Sequence, residues 1–253
     1  MSFVERPTLS QDEATGEHVW RRWLADEGCQ ERCVQEWIPP CARLVIVAPH
    51  PDDEILACGG LISAHAAQGG RVLSVAVTDG EDSHGESSPF NREELAEIRR
   101  SEQVLGLRRL GLSDPEVLAL ALRDGCVRPQ SDVLLDRLMS LLQPGDVVVS
   151  TWENDGHPDH DTTGYMVNLA SAATGCRFLA APVWMWHWAT PADVRVPWRR
   201  LRGMSLTPED VSRKQAGLAA HQSQLVSRNF SLGAALDDAI VKRAAWPTEY
   251  YFV

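Results

Sequence analysis

The stretch Leu44-Val45-Ile46-Val47-Ala48-Pro49-His50-Pro51-Asp52-Asp53-Glu54 decides the fold. Leu44 to Ala48 is an unbroken apolar run bounded by proline, which reads as a short strand. Ile55 to Ala67 reads as a helix closed by Gly69-Gly70, and Val72 to Val77 as a second apolar strand. Strand, helix and strand in this order form a βαβ unit.

Working outward, Glu93 to Leu105 predicts a helix stopped at Gly106, and Val133 to Leu142 another ended by Pro144-Gly145. Val147 to Thr151 reads as a buried strand, followed beyond Thr163 by a further helix and by a strand-like Phe178 to Val183. Tryptophan recurs with period two in Trp184-Met185-Trp186-His187-Trp188, which predicts a strand. Thr207-Pro208-Glu209-Asp210 has a capping threonine, a proline at the first helical position and acids in the first turn, opening a helix through about Gln224. Val, Ile and Leu runs without polar alternation suit strands covered on both faces. The expected architecture is therefore α/β: a Rossmann-like open sheet of mostly parallel strands flanked by helices, a single domain over residues 41–253. Residues 1–40, with Trp20, Trp23 and Trp37 among many charges, read as an amino-terminal helical extension closed by Pro39-Pro40. Asp79 to Asn91 is a polar loop with the composition of a lid.

Of the 253 residues, 44% are hydrophobic and 23% charged, which excludes disordered, collagen-like and coiled-coil classes. A net charge of -11 repels polyanions, so nucleic acid is not an expected partner. No apolar run approaches the roughly 18 residues needed to span a bilayer, and Met1 to Glu13 lacks the order of a signal peptide, so a cytoplasmic chain is expected. The six cysteines include no CxxC pair and read as reduced thiols. Whether the chain forms a homo-oligomer is open at this level.

His50-Pro51-Asp52-Asp53-Glu54 and His157-Pro158-Asp159-His160 each lie between a strand end and a helix start. In an open α/β sheet the parallel strands end on one edge, where ligands bind, so motifs far apart in sequence meet there. Their histidines and carboxylates form the mixed nitrogen and oxygen set of a catalytic zinc, and iron(II) also fits. Successive residues on a first helical turn project about 100° apart, so Asp52 and Asp53 cannot coordinate equivalently. One should bind metal and the other reach its water. His157 and His160, three apart, share a face, which leaves one as ligand and its neighbour over the reacting group. The plainer reading is a pair of helix starts with aspartates favoured by the helix dipole. Co-occurrence at equivalent strand ends favours the metal site.

Ala48-Pro49-His50-Pro51-Asp52-Asp53-Glu54 together with Gly156-His157-Pro158-Asp159-His160 resembles the LmbE-like, or PIG-L, de-N-acetylases, zinc enzymes that remove acetyl from N-acetylglucosaminyl conjugates. The resemblance extends over most of residues 43–225, including Thr78-Asp79-Gly80-Glu81, Arg99 to Glu102, Leu110-Gly111-Leu112 and His221-Gln222-Ser223-Gln224. It implies His50, Asp53 and His160 as zinc ligands, Asp52 as general base, His157 as a protonated transition-state stabiliser and Asp159 as its orienting partner. One departure stands out: members of the mycothiol pathway carry tyrosine two residues before the first histidine of the second motif, where this chain has Asp155.

Three residues are candidate substrate contacts. Trp152, near the second motif, suits stacking on a sugar face. Asp114 matches a position where the family contacts its sugar, although a loop aspartate also closes turns. Arg99 would bind a substrate anion, against the plainer reading of a solvated helix arginine. The expected reaction is hydrolysis of an acetamido group on an amino-sugar conjugate to acetate and a free amine. Two rivals are a metal-dependent phosphoesterase, with two metals, and a non-catalytic nucleotide-binding module, whose pyrophosphate Asp52 and Asp53 would repel.

Overall fold

Leu44 and Ile46 enter one hydrophobic core while Val45 and Val47 enter another, the period-two signature of a strand buried on both faces. The computed structural model describes residues 15–27, 29, 31–85, 88–227 and 233–253. Its elements begin with α1 (Glu17–Asp26), β1 (Glu31–Arg32), α2 (Val34–Trp37), β2 (Arg43–Ala48), α3 (Asp53–Ala67) and β3 (Arg71–Thr78). Next come α4 (Arg92–Arg109), β4 (Glu116–Leu122), α5 (Ser131–Leu141), β5 (Val147–Thr151), α6 (Pro158–Thr174), β6 (Arg177–Ala181) and α7 (Met185–Trp188). The chain closes with β7 (Leu201–Ser205), α8 (Pro208–Leu218), α9 (Gln222–Leu225), α10 (Asp238–Arg243) and β8 (Thr248–Phe252).

Among the described residues, eight strands form one sheet in the order β1-β7-β8-β6-β5-β2-β3-β4. The pairings are parallel except for β8, which runs antiparallel to β6 and β7. Ile55, Leu61 and Leu218 cover one face from α3 and α8, and Leu134, Leu138 and Val167 cover the other from α5 and α6. A third cluster joins Trp20 of α1 to Trp186, Trp152 and Phe252. The expected mostly parallel α/β sheet is thus what the chain forms. Within the amino-terminal segment, β1 pairs with β7 and so joins the sheet; residues 1–14 lie outside the described residues. The six thiols are free, and no described helix is long and apolar enough to cross a membrane.

Three local expectations differ. Gly106 does not stop α4, which runs on to Arg109. Its hydrogen side chain instead permits close packing, since a Cβ there would lie 2.9 Å from His221 Nε2 and 3.2 Å from the Gly217 carbonyl. The tryptophan run forms a helical turn, not a strand, because its amides bond to a distant carboxylate described below. The helix opened by Thr207 ends at Leu218, and His221 precedes the separate turn α9.

Strands β2 to β6 are parallel, so the segments that leave them share one edge of the sheet. His50 follows β2, Gly80 follows β3, Asp124 follows β4, Asp155 and His157 follow β5, and Trp184 follows β6. At the end of β4 the register with β3 shifts and Ala121 takes φ +52°, an irregularity of the kind that re-aims the next side chains.

Candidate metal centre

The site begins with a strained residue. Asp52 caps α3 with φ +139° and ψ -26°, a backbone conformation that costs a non-glycine residue about 1–3 kcal/mol. The twist sends the two adjacent carboxylates apart. Asp53 Oδ2 lies 3.2 Å from both His50 Nδ1 and His160 Nε2 and accepts the His50 backbone N–H at 3.0 Å. Asp52 Oδ2 instead accepts from Arg99 Nη2 at 2.9 Å.

Each of those histidines is held from its far side. His50 Nε2 lies 3.2 Å from Asp124 Oδ1 and 3.4 Å from Asp159 Oδ2. His160 Nδ1 lies 2.8 Å from Asp155 Oδ2. A carboxylate on the second ring nitrogen fixes the tautomer that leaves the other free for a metal. His50, His157 and His160 present nitrogens within 4.8 Å of one another, and His50, Asp124 and Asp159 form a second such group. Two imidazole nitrogens converging on one carboxylate oxygen fit a divalent cation by donor type and by this outer support.

The electrostatics follow from burial and pairing. Burial would raise Asp53, but His160 and His50 outweigh it and hold the carboxyl well below its usual range. Burial would lower His160, but Asp53 and Asp155 lift it to about 9. Burial pushes Asp52 up to about 7 against the pull of Arg99. Burial together with His160 and His50 pushes His157 down to about 3. His157 Nδ1 accepts the Asp159 backbone N–H at 3.2 Å, which leaves Nε2 to donate.

The expected pairing of the Asp159 carboxylate with His157 is not what forms. Its oxygens accept from Gly125 N at 2.7 Å and Val127 N at 3.1 Å and face His50, so Asp159 reaches His157 only through its backbone.

The sequence pattern of the PIG-L family, described as GlcNAc-PI de-N-acetylase, matches residues 45–171, about half of the chain and both histidine motifs. The chain belongs to that family. Among relatives, the probable N-acetyl-alpha-D-glucosaminyl L-malate deacetylase 2 of Bacillus subtilis (strain 168) is 28% identical over 131 residues. That match covers 49% of this chain and 58% of the relative, so the chain spans less than two thirds of that protein's length. Among solved structures, the zinc inhibited form of teicoplanin deacetylase Orf2 superposes with a TM-score of 0.61 at 17% identity, covering 83% of this chain and 97% of that one. GalB, the 4-carboxy-2-hydroxymuconate hydratase from Pseudomonas putida KT2440, superposes at 0.57 and 18% identity, over 80% and 82% of the two chains. At these identities the likeness shows the shared fold, and a fold that serves both enzymes leaves the chemistry to be argued from residues.

In this PIG-L chain the three candidate substrate contacts lie elsewhere than expected. Arg99 is 2% exposed and, besides Asp52, bonds the carbonyls of Pro51 at 2.7 Å and Gly80 at 3.0 Å, so it faces the protein and not a substrate anion. Trp152 is 3% exposed and packs on Phe252 and Trp188, with no free face for a sugar. Asp114 is exposed in the bend that precedes β4, which places it on the amino edge of the sheet, opposite the metal centre. Asp124, at the other end of the same strand, is the site aspartate that sequence reasoning missed. The signal was the apolar run Val117 to Leu122, whose recognition as a parallel strand would have put the residues after it on the same sheet edge as the histidine motifs. His221 is fully buried, and burial with the nearby Arg99 charge pushes it to about 3.

Proposed function

We propose that this chain is a metal-dependent N-deacetylase acting on an N-acetylglucosamine-type conjugate, with zinc as its metal. The observation that carries the reading is the division of labour between adjacent carboxylates: Asp53 faces both histidines, while Asp52 turns to Arg99. The family membership and the deacetylase named in the Bacillus relative support an amino-sugar conjugate as substrate class.

His50, Asp53 and His160 would hold the cation, which supplies polarisation of an amide carbonyl and a lowered pKa for water. Asp52 accepts the proton of the attacking water on the oxygen that Arg99 does not occupy. His157 donates a hydrogen bond from Nε2–H to the oxyanion as the carbonyl becomes tetrahedral. Asp52 then returns the proton to the nitrogen as the C–N bond breaks, giving acetate and the free amine. In this reading Asp159 and Asp124 keep His50 oriented, and residues 41–253 carry the catalytic unit.

Metal analysis of the purified protein tests the assignment. It predicts close to one equivalent per chain, retained in Asp52→Asn and lost in His160→Ala. Two tightly held equivalents would favour the phosphoesterase reading instead.

A further inference from the structure

Asp155 is 0% exposed and has four hydrogen-bond donors around one carboxylate. Oδ1 accepts the backbone N–H of Val183 at 2.8 Å and of Met185 at 3.0 Å. Oδ2 accepts the N–H of Trp184 at 3.0 Å and lies 2.8 Å from His160 Nδ1. The carbonyl of the same residue accepts Trp188 Nε1 at 2.6 Å. Asp155 therefore touches both ends of the Trp184 to Trp188 turn as well as His160. Gly156 makes the approach possible, since at its φ of +109° a Cβ would lie 2.7 Å from Trp188 Nε1.

Three successive amides at the start of a helical turn are donors that the turn itself cannot satisfy. A carboxylate from outside the turn satisfies them, which is why the tryptophan run is helical despite its period-two pattern. The fourth donor is the ring nitrogen of His160 remote from Asp53. A carboxylate accepts a hydrogen bond and cannot donate one, so it selects the imidazole form with the proton on Nδ1.

We propose that Asp155 is a positioning residue that sets the metal-binding tautomer of His160 and the seat of the Trp184 to Trp188 turn through one carboxylate. The inference rests on His160 being a metal ligand. Its consequence is that the ligand and the turn beside it cannot be adjusted independently. In the isosteric asparagine an NH2 group replaces one oxygen. Either orientation sets it against two N–H donors, so the turn or the pair Trp184 and His160 must give way.

The experiment measures zinc dissociation constants by chelator competition on the full chain, for the wild type, Asp155→Asn, Trp188→Phe and His160→Ala. Loss of a partner that orients a metal ligand weakens binding about 10- to 100-fold, and that is the expectation for Asp155→Asn. Trp188→Phe disturbs the same turn but spares the carboxylate, and should stay within about threefold of the wild type. An equal loss in both variants would overturn the proposal, because general loosening would then explain it. Wild-type affinity in His160→Ala would remove the ligand reading itself, whereas loss there with wild-type affinity in Asp155→Asn would overturn the coupling alone. Long-range proton–nitrogen correlation spectra of the zinc-loaded wild type need no variant that folds: a proton on His160 Nδ1 supports the proposal, and zinc on Nδ1 overturns it.

Discussion

Arg99 and Asp52 form a buried ion pair, with Nη2 2.9 Å from Oδ2 and both residues at most 5% exposed. The pair joins α4 to the strained cap of α3, and Arg99 ties the same turn to the end of β3 through the Gly80 carbonyl. Removing one partner of such a pair leaves an uncompensated buried charge and costs about 3–5 kcal/mol. Arg99→Ala should lose about that much unfolding free energy in urea and lower turnover while metal content persists. Arg99→Lys should recover only part, because one ammonium cannot match the planar fork that reaches three oxygens. A wild-type denaturation midpoint for Arg99→Ala would contradict this.

Asp52→Asn keeps the shape of the cap but cannot take a proton, and should lower turnover roughly 10² to 10⁴-fold with metal retained. Loss of metal in parallel with activity would mean that Asp52 and Asp53 had been assigned the wrong way round.

Asp124 and Asp114 flank the same strand and should behave oppositely. Asp124→Ala removes a partner of His50 Nε2 and should weaken metal binding about 10- to 100-fold. Asp114→Ala, exposed on the far edge, should change neither affinity nor turnover. Measuring both in one titration series checks the strand polarity as well as the site.

Trp152→Ala should act on stability and not on sugar recognition. Its ring fills a core with Phe252 and Trp188, and truncating a buried aromatic costs about 3–5 kcal/mol. A stable variant with weakened substrate binding would restore the stacking role.

Glu54 gives a pH dependence with a definite sign. It is fully buried, Oε1 has no partner among the described residues, and burial pushes its carboxyl from the ordinary 4.5 to about 8. The folded state therefore holds a proton that the unfolded state has lost, and stability falls as pH rises from about 4.5 to about 8. Glu54→Gln removes this contribution, so its unfolding free energy should fall less steeply than that of the wild type across the same window. Parallel pH profiles would contradict a protonated Glu54.

The βαβ unit and the two histidine motifs were legible because short-range patterns encode them: an apolar run, a proline turn and a helix start repeat at both places. The antiparallel strands β7 and β8 were not, since Leu201 to Ser205 and Thr248 to Phe252 lack such flanks. The tryptophan run misled because its helical turn depends on the carboxylate of Asp155, 28 residues before Val183 in sequence. Arg99 looked like a surface helix residue for a similar reason. Its partners Pro51, Asp52 and Gly80 come from two other strand ends. Residue type and spacing thus pointed to the candidate metal centre, while the residues that pack around its histidines became visible only in three dimensions.

Metal-dependent hydrolysis of an acetamido group is measured by acetate release from a panel of N-acetylglucosaminyl conjugates, assayed with metal-stripped and zinc-reloaded protein beside an acetyl-lysine peptide. The expected result is one acetate and one free amine per turnover from at least one conjugate, abolished by stripping, restored by zinc and far faster than from the peptide. Protein that binds one zinc per chain yet releases no acetate from any conjugate would contradict it.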